Sequence, residues 1–149
     1  MTDTQTSLHA PHVLEYPYTR SVGPVIGRFL TGLRDGKIEG IRSTSGKVIV
    51  PPTGYDPDTG ADLDEFVEVG TSGVVTTWSW QPEPRANNPL DRPFAWALIQ
   101  LDGADTGLLH AVDAGDPEKI EVGTRVKVRW RDERVGHIND IECFELEQS

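Results

Sequence analysis

Apolar positions fall at two different periods along the 149 residues. From Val22 they recur at helical spacing, as Val22, Ile26, Phe29, Leu30 and Leu33, with Arg20, Arg28, Arg34 and Asp35 around them. That spacing predicts one amphipathic helix. Ser21 is placed to cap it, Pro24 suits its first turn and Gly36 its stop. The stripe admits two readings. It packs on the chain's own domain, or it joins the polar, proline-containing arm of residues 1–18 in docking on another chain. On the docking reading Ile26, Phe29, Leu30 and Leu33 form the interface, and Phe29→Asp weakens partner binding while the rest stays folded.

Beyond Gly36 the period shortens to two. Residues 38–50 predict two short strands about a Ser45-Gly46 turn, and "ADLDEFVEVG" (61–70) carries Phe66, Val67 and Val69 as anchors. Longer β-branched or aromatic runs follow: "TSGVVTTWSWQ" (71–81), "RPFAWALIQLDG" (92–103), "TGLLHAVDA" (106–114), "GTRVKVRWRDE" (123–133) and "GHINDIECFELE" (136–147). Five strands with turn signals between them predict a small closed or partly open β-barrel, because free edges of this length invite aggregation. The chain therefore divides into an arm and helix (1–36), a small β unit (37–68) and a barrel (69–149). The fold class is mostly β.

Fifteen glycines and eleven prolines agree with a turn-rich chain. Net charge is −10, which repels phosphodiester backbones and makes nucleic acid a poor partner. A single cysteine, Cys143, excludes an intrachain disulfide and suits a reducing compartment. No run approaches the roughly 20 apolar residues of a membrane span, and the N-terminus has neither the basic nor the apolar part of a signal peptide. A cytoplasmic protein without a membrane partner is expected.

Candidate chemistry is sparse. His9 and His12 lie in the arm, while His110 and His137 are on distant strands, and no nucleophile, zincin or phosphate-loop motif occurs. Cys143 sits among Ile141, Phe144 and Leu146 and reads as a buried, inert thiol. Asp56 and Asp58 fail the spacing of a calcium loop. On "RVKVRWR" (125–131), alternation places Val126, Val128 and Trp130 on one face and Arg125, Lys127, Arg129 and Arg131 on the other. Those cations either pair with nearby acids or offer an anionic ligand a landing strip. Trp78 and Trp80 share a face of their strand, beside the polar loop bearing Arg85 and Arg92, where they line an apolar slot or fill the core.

One stretch has a frame without its chemistry. In "RSTSGKVIVPPTGYDPDTG" (42–60), cysteines at Arg42, Ser45, Asp56 and Thr59 would read C-x2-C-x10-C-x2-C, the spacing of a structural zinc site. None of the four is a thiolate. Zinc is not expected, and no other metal is.

With that frame ahead of five strands, residues 20–147 resemble the zinc-ribbon/OB-fold proteins that accompany acyl-CoA thiolases and thiolase-like aldolases. The resemblance rests on "GLRDGKIEGIRS", "SGKVIVPPTGYDPDTG", "VGTSGVVTTWSW", "RPFAWALIQLDG" and "VGTRVKVRWRDE". Members of that family commonly show C-x-x-C-G, a short strand, P-P and then C-P-x-C-G. Gly46, Pro51, Pro52, Pro57 and Gly60 remain here and the thiolates do not. The resemblance implies a degenerate, metal-free zinc-ribbon-like unit followed by a five-stranded OB-fold barrel. Packing against a partner or Pro-rich rigidity then replaces the lost coordination.

It also implies a non-catalytic accessory subunit of a hetero-oligomer. The partner is a thiolase-like aldolase, such as a steroid side-chain retro-aldolase, or a thiolase of lipid breakdown. A coenzyme A thioester is the substrate of the complex and this chain binds no cofactor of its own. Catalytic residues belong to the partner. Trp78, Trp80, Arg85 and Arg92 are the candidate acyl-CoA contacts. Two other readings stand beside this one: a single-strand nucleic-acid binder on an OB fold, and an independent acyl-CoA hydrolase or aldolase.

Overall fold

The computed structural model describes residues 6–148; the first five residues of the expected arm lie outside it. Residues 6–22 form no helix or strand and lie exposed. Helix α1 (Gly23–Arg34) follows, with Pro24 in its first turn; Ser21 stands one residue before the cap position, its hydroxyl accepting from Gly23 N. The helix ends in a Schellman motif. Gly36 takes φ +77°, Gly36 N donates to Leu33 O at 3.0 Å and Lys37 N to Gly32 O at 2.9 Å.

Strands β1 (Ile38–Arg42), β2 (Val48–Ile49) and β3 (Phe66–Val69) make an antiparallel sheet in the order β2-β1-β3. Strands β4 (Ser72–Gln81), β5 (Phe94–Leu101), β6 (Leu108–Asp113), β7 (Arg125–Trp130) and β8 (Ile141–Leu146) close a barrel in the order β4-β5-β6-β8-β7, with β7 returning to β4. β6 and β8 are the parallel pair. A closed five-stranded barrel with that crossover is the OB fold.

The two β units share one core. Ile38, Val48, Val50 and Val69 of the sheet pack with Val75, Ile99, Leu101, Val112 and Phe144 of the barrel. The free side of β2 is tied to the β5–β6 turn. Asp105 accepts from Val48 N through its carboxylate (2.8 Å), and Thr106 Oγ1 accepts from Val50 N (2.8 Å) and donates to Val50 O (3.0 Å).

Helix α1 joins the same core. Phe29 is 3% exposed and Leu33 fully buried, while Arg28 pairs with the buried Glu39 of β1 and lies 4.1 Å over the Phe66 ring. This corrects the docking stripe: Phe29 and Leu33 are internal, and Ile26 and Leu30 are half-buried. The own-domain reading holds for the buried pair, which pack in the core that the sheet and the barrel share.

Strand β4 crosses β5 so closely that Gly73 leaves no room for a side chain. A Cβ there would sit 2.3 Å from Gln100 O. Gly73→Ala is expected to push β4 off β5 at a cost of about 2 kcal/mol, read as a lower denaturant midpoint at unchanged slope. An unchanged midpoint would show that the strands part freely.

Candidate functional site

Each predicted contact residue has a definite place, and they do not converge. Trp78 and Trp80 stand opposite Ala97 and Ala95, both fully buried. Cross-strand neighbours share a face, so the two indoles turn toward the barrel interior, where the alanines make room. A β-bulge between Val75 and Thr77 sets this parity. Without it Thr77 and Ser79 would face inward. Of the two readings the core one holds: both tryptophans pack on the core, half-buried, and neither lines the groove at the loop bearing Arg85 and Arg92.

That loop, residues 82–93, frames a groove of about 530 Å³ whose rim holds Arg85 and Arg92, with Arg131 and Glu142 opposite. Arg92 is committed to Asp113, whose carboxyl it holds below the usual carboxylate range, with Arg129 adding to the effect. Arg85 is exposed and, among the described residues, faces no carboxylate at ion-pair distance. Its backbone N–H donates to Asn88 Oδ1 at 2.7 Å, which shapes the loop. Leu90 anchors the loop on a small outer cluster of Phe94, Ala111 and Cys143, with Trp96 edge-on to Phe94 at 5.1 Å.

Three of the four cations on the basic face of β7 pair with nearby acids. Arg125 forms a bidentate pair with Asp102 (2.8 and 2.7 Å), Lys127 meets Glu145, and Arg129 reaches Asp113, Glu142 and Glu145. Arg131 alone of the four has no carboxylate partner among the described residues; its Nε donates to Asn139 O. Cys143 is buried and its thiol is pushed up to about 12 by desolvation, which removes it as a nucleophile.

The zinc-ribbon frame is held by a carboxylate. The turns at 43–47 and 56–60 both form, through Gly46 N to Ser43 O (3.0 Å) and Gly60 N to Asp56 O (2.9 Å). Between them lies Asp56, 3% exposed. Its Oδ2 accepts from Thr44 N (2.8 Å) and Thr44 Oγ1 (2.6 Å), and its Oδ1 from Asp58 N (2.8 Å) and Thr59 N (3.0 Å). Arg42 turns away to Glu65, Ser45 bonds Ser43, and Thr59 accepts from Ala61 N. The donor set does not fit zinc: a guanidinium and two hydroxyls lie elsewhere, and both oxygens of Asp56 are already occupied by donors. Asp56 makes an anionic bridge between the two turns.

Residues 66–131 match the family model described as ChsH2, C-terminal OB-fold domain. The chain is similar in structure to a protein of unknown function from the DUF35 family of Sulfolobus solfataricus. The two share 22% identity at a TM-score of 0.63, over 85% of each chain. It is also similar to a chain of the Ltp2-ChsH2(DUF35) aldolase, with 21% identity and a TM-score of 0.62. That likeness spans 86% of this chain and 98% of the other. Among curated proteins, none matches. These findings support the resemblance to the ChsH2/DUF35 OB-fold family, on the barrel by sequence and over most of the chain by fold. Among the described residues, no helix is long and apolar enough to cross a membrane.

Proposed function

We propose, for a chain whose barrel is of the ChsH2 C-terminal OB-fold type, a role as non-catalytic subunit of an aldolase complex. It binds a thiolase-fold partner and helps to complete that partner's acyl-CoA site. The match over residues 66–131 carries this reading. The inert thiol of Cys143 and the pairing of most strand cations support it against an independent enzyme and against a nucleic-acid binder. Arg85 and Arg131, which both line the groove, replace the tryptophans as the proposed contacts for an acyl-CoA thioester; guanidinium groups suit its phosphates.

The proposed docking surface moves with the helix correction. Leu14, Tyr16 and Tyr18 alternate along the extended arm and are all exposed. The arm runs into Val22 and a shallow apolar hollow of about 350 Å³ formed by Pro24, Val25, Ile26, Tyr55 and Leu63. Exposed apolar side chains on the arm and an apolar hollow at Val22 suit a protein partner.

Affinity purification from the native host, with mass spectrometry of the co-purifying proteins, tests the assignment. A stoichiometric thiolase-like protein is expected. The Tyr16→Ser/Tyr18→Ser double variant should lose it while melting at the wild-type temperature. Recovery of the chain alone, or an unaffected complex with the double variant, would count against the role or the surface respectively.

A further inference from the structure

The parallel pairing of β6 and β8 is short. It covers only Val112 with Phe144 and Asp113 with Glu145, so the strands diverge before it and leave a gap beside Leu109–Ala111 and Ile141–Cys143. The 3-10 turn Ile138–Asp140 and loop residues Asn87–Pro89 border this gap, framing a half-open cavity of about 400 Å³. That volume lies within the range of about 300–1,000 Å³ of small-molecule sites.

The cavity has one apolar side and one donor side. Trp96, Leu109, Ile138 and Ile141 form the apolar side, with Leu109 on the outward face of β6 and 60% exposed. His110 borders the cavity although its residue is only 7% exposed. Its Nδ1 accepts from Ala111 N at 2.9 Å, which places the ring proton on Nε2. Burial lowers its pKa. His110 pairs across the sheet with Ala97, so its ring turns to the barrel interior, where it meets Phe144 edge-on at 5.6 Å. Arg131 adds its guanidinium, fixed through Nε on Asn139 O. The cavity's acid, Glu142, is already engaged by Arg129 at 2.7 Å.

The geometry points to a binding site for a small carboxylate bearing an apolar ring. The ring lies against Trp96, Leu109 and Ile138, and the carboxylate accepts from the free edge of the Arg131 guanidinium. This site is on the chain itself and does not depend on the aldolase role.

Titration of the ¹⁵N-labelled full chain with 2-naphthoate tests it, followed through the Trp96 indole and His110 ring signals. A saturable shift of both is expected by about 5 mM, with none from acetate, which lacks the ring. Arg131→Gln and Leu109→Asp should each weaken binding about tenfold or more. Leu109→Asp changes an exposed side chain, and equal melting temperatures confirm that the fold survives. The absence of a saturable shift, equal binding of the neutral 2-naphthamide, or unchanged affinity in both variants would overturn the site. Co-purification of a partner reads the proposed function separately, so either idea can fail alone.

Discussion

Phe29→Asp will abolish the cooperative thermal transition of this chain rather than weaken a contact with another protein. Truncating a buried phenylalanine alone costs about 3–5 kcal/mol, and a carboxylate in its place must also be desolvated or protonated. Phe29 lies in the core that joins α1, the small sheet and the barrel, with Leu33 one turn on. Total stability for a domain of this size is about 5–15 kcal/mol, so one such change takes most of it. Ile26→Asp, one turn earlier and half-buried, is the control on the same helix and should leave a measurable melt. Circular dichroism on both variants decides the matter. If Phe29→Asp melts within a degree or two of wild type, α1 is not packed on its own domain and the docking stripe returns.

Asp56→Ala will separate the two turns of the zinc-ribbon frame. It leaves Thr44 N, Thr44 Oγ1, Asp58 N and Thr59 N without their acceptor. Unsatisfied buried donors are costly, and a drop in melting temperature of roughly 10 °C is expected for a chain of this length. Asp56→Asn keeps the shape but turns an amide N–H toward donors, so it rescues little. The pH dependence follows from the same bonds. Hydrogen bonds from Thr44, then from Asp58 and Thr59, hold the Asp56 carboxyl far below the usual range.

A depressed folded-state value contributes stability that is full above the unfolded carboxylate pKa of about 4 and is lost as pH falls toward the folded value. The gap in melting temperature between wild type and Asp56→Asn should be constant from pH 7 to about 5 and shrink below about 4. Chelator should not alter the wild-type melt. A large fall in melting temperature on adding chelator would show that a metal, not this carboxylate, joins the turns.

Much of the architecture was legible because it depends on near neighbours in sequence. The 3.6 period of Ile26, Phe29 and Leu33 located α1, and alternation with turn residues located the barrel strands. Alternation also sorted the β7 cations from Val126 and Val128 correctly, since a strand's two faces are set by its own pleat. The fate of Trp78 and Trp80 was not legible. One extra residue between Val75 and Thr77 reverses the inward face of β4, and a bulge leaves no mark in the pattern when Thr, Trp and Ser tolerate either side. Trp96 carries no sequence signal of a site, because a lone tryptophan in an apolar run reads as core. Only its neighbours across the sheet place it beside a cavity.

By itself, then, the sequence determined the order and type of the elements, a five-stranded barrel behind a small β unit, and a zinc-ribbon frame stripped of its thiolates. Those follow from periodicity and from residue chemistry, which need no distant partner. Tertiary structure alone decided that α1 is internal, that Asp56 bridges the turns the metal would have joined, and that β6 and β8 part to leave a donor-lined gap. Each of these rests on groups brought together across loops. A carboxylate's partners, a cavity's walls and a helix's buried face exist only once the barrel has closed.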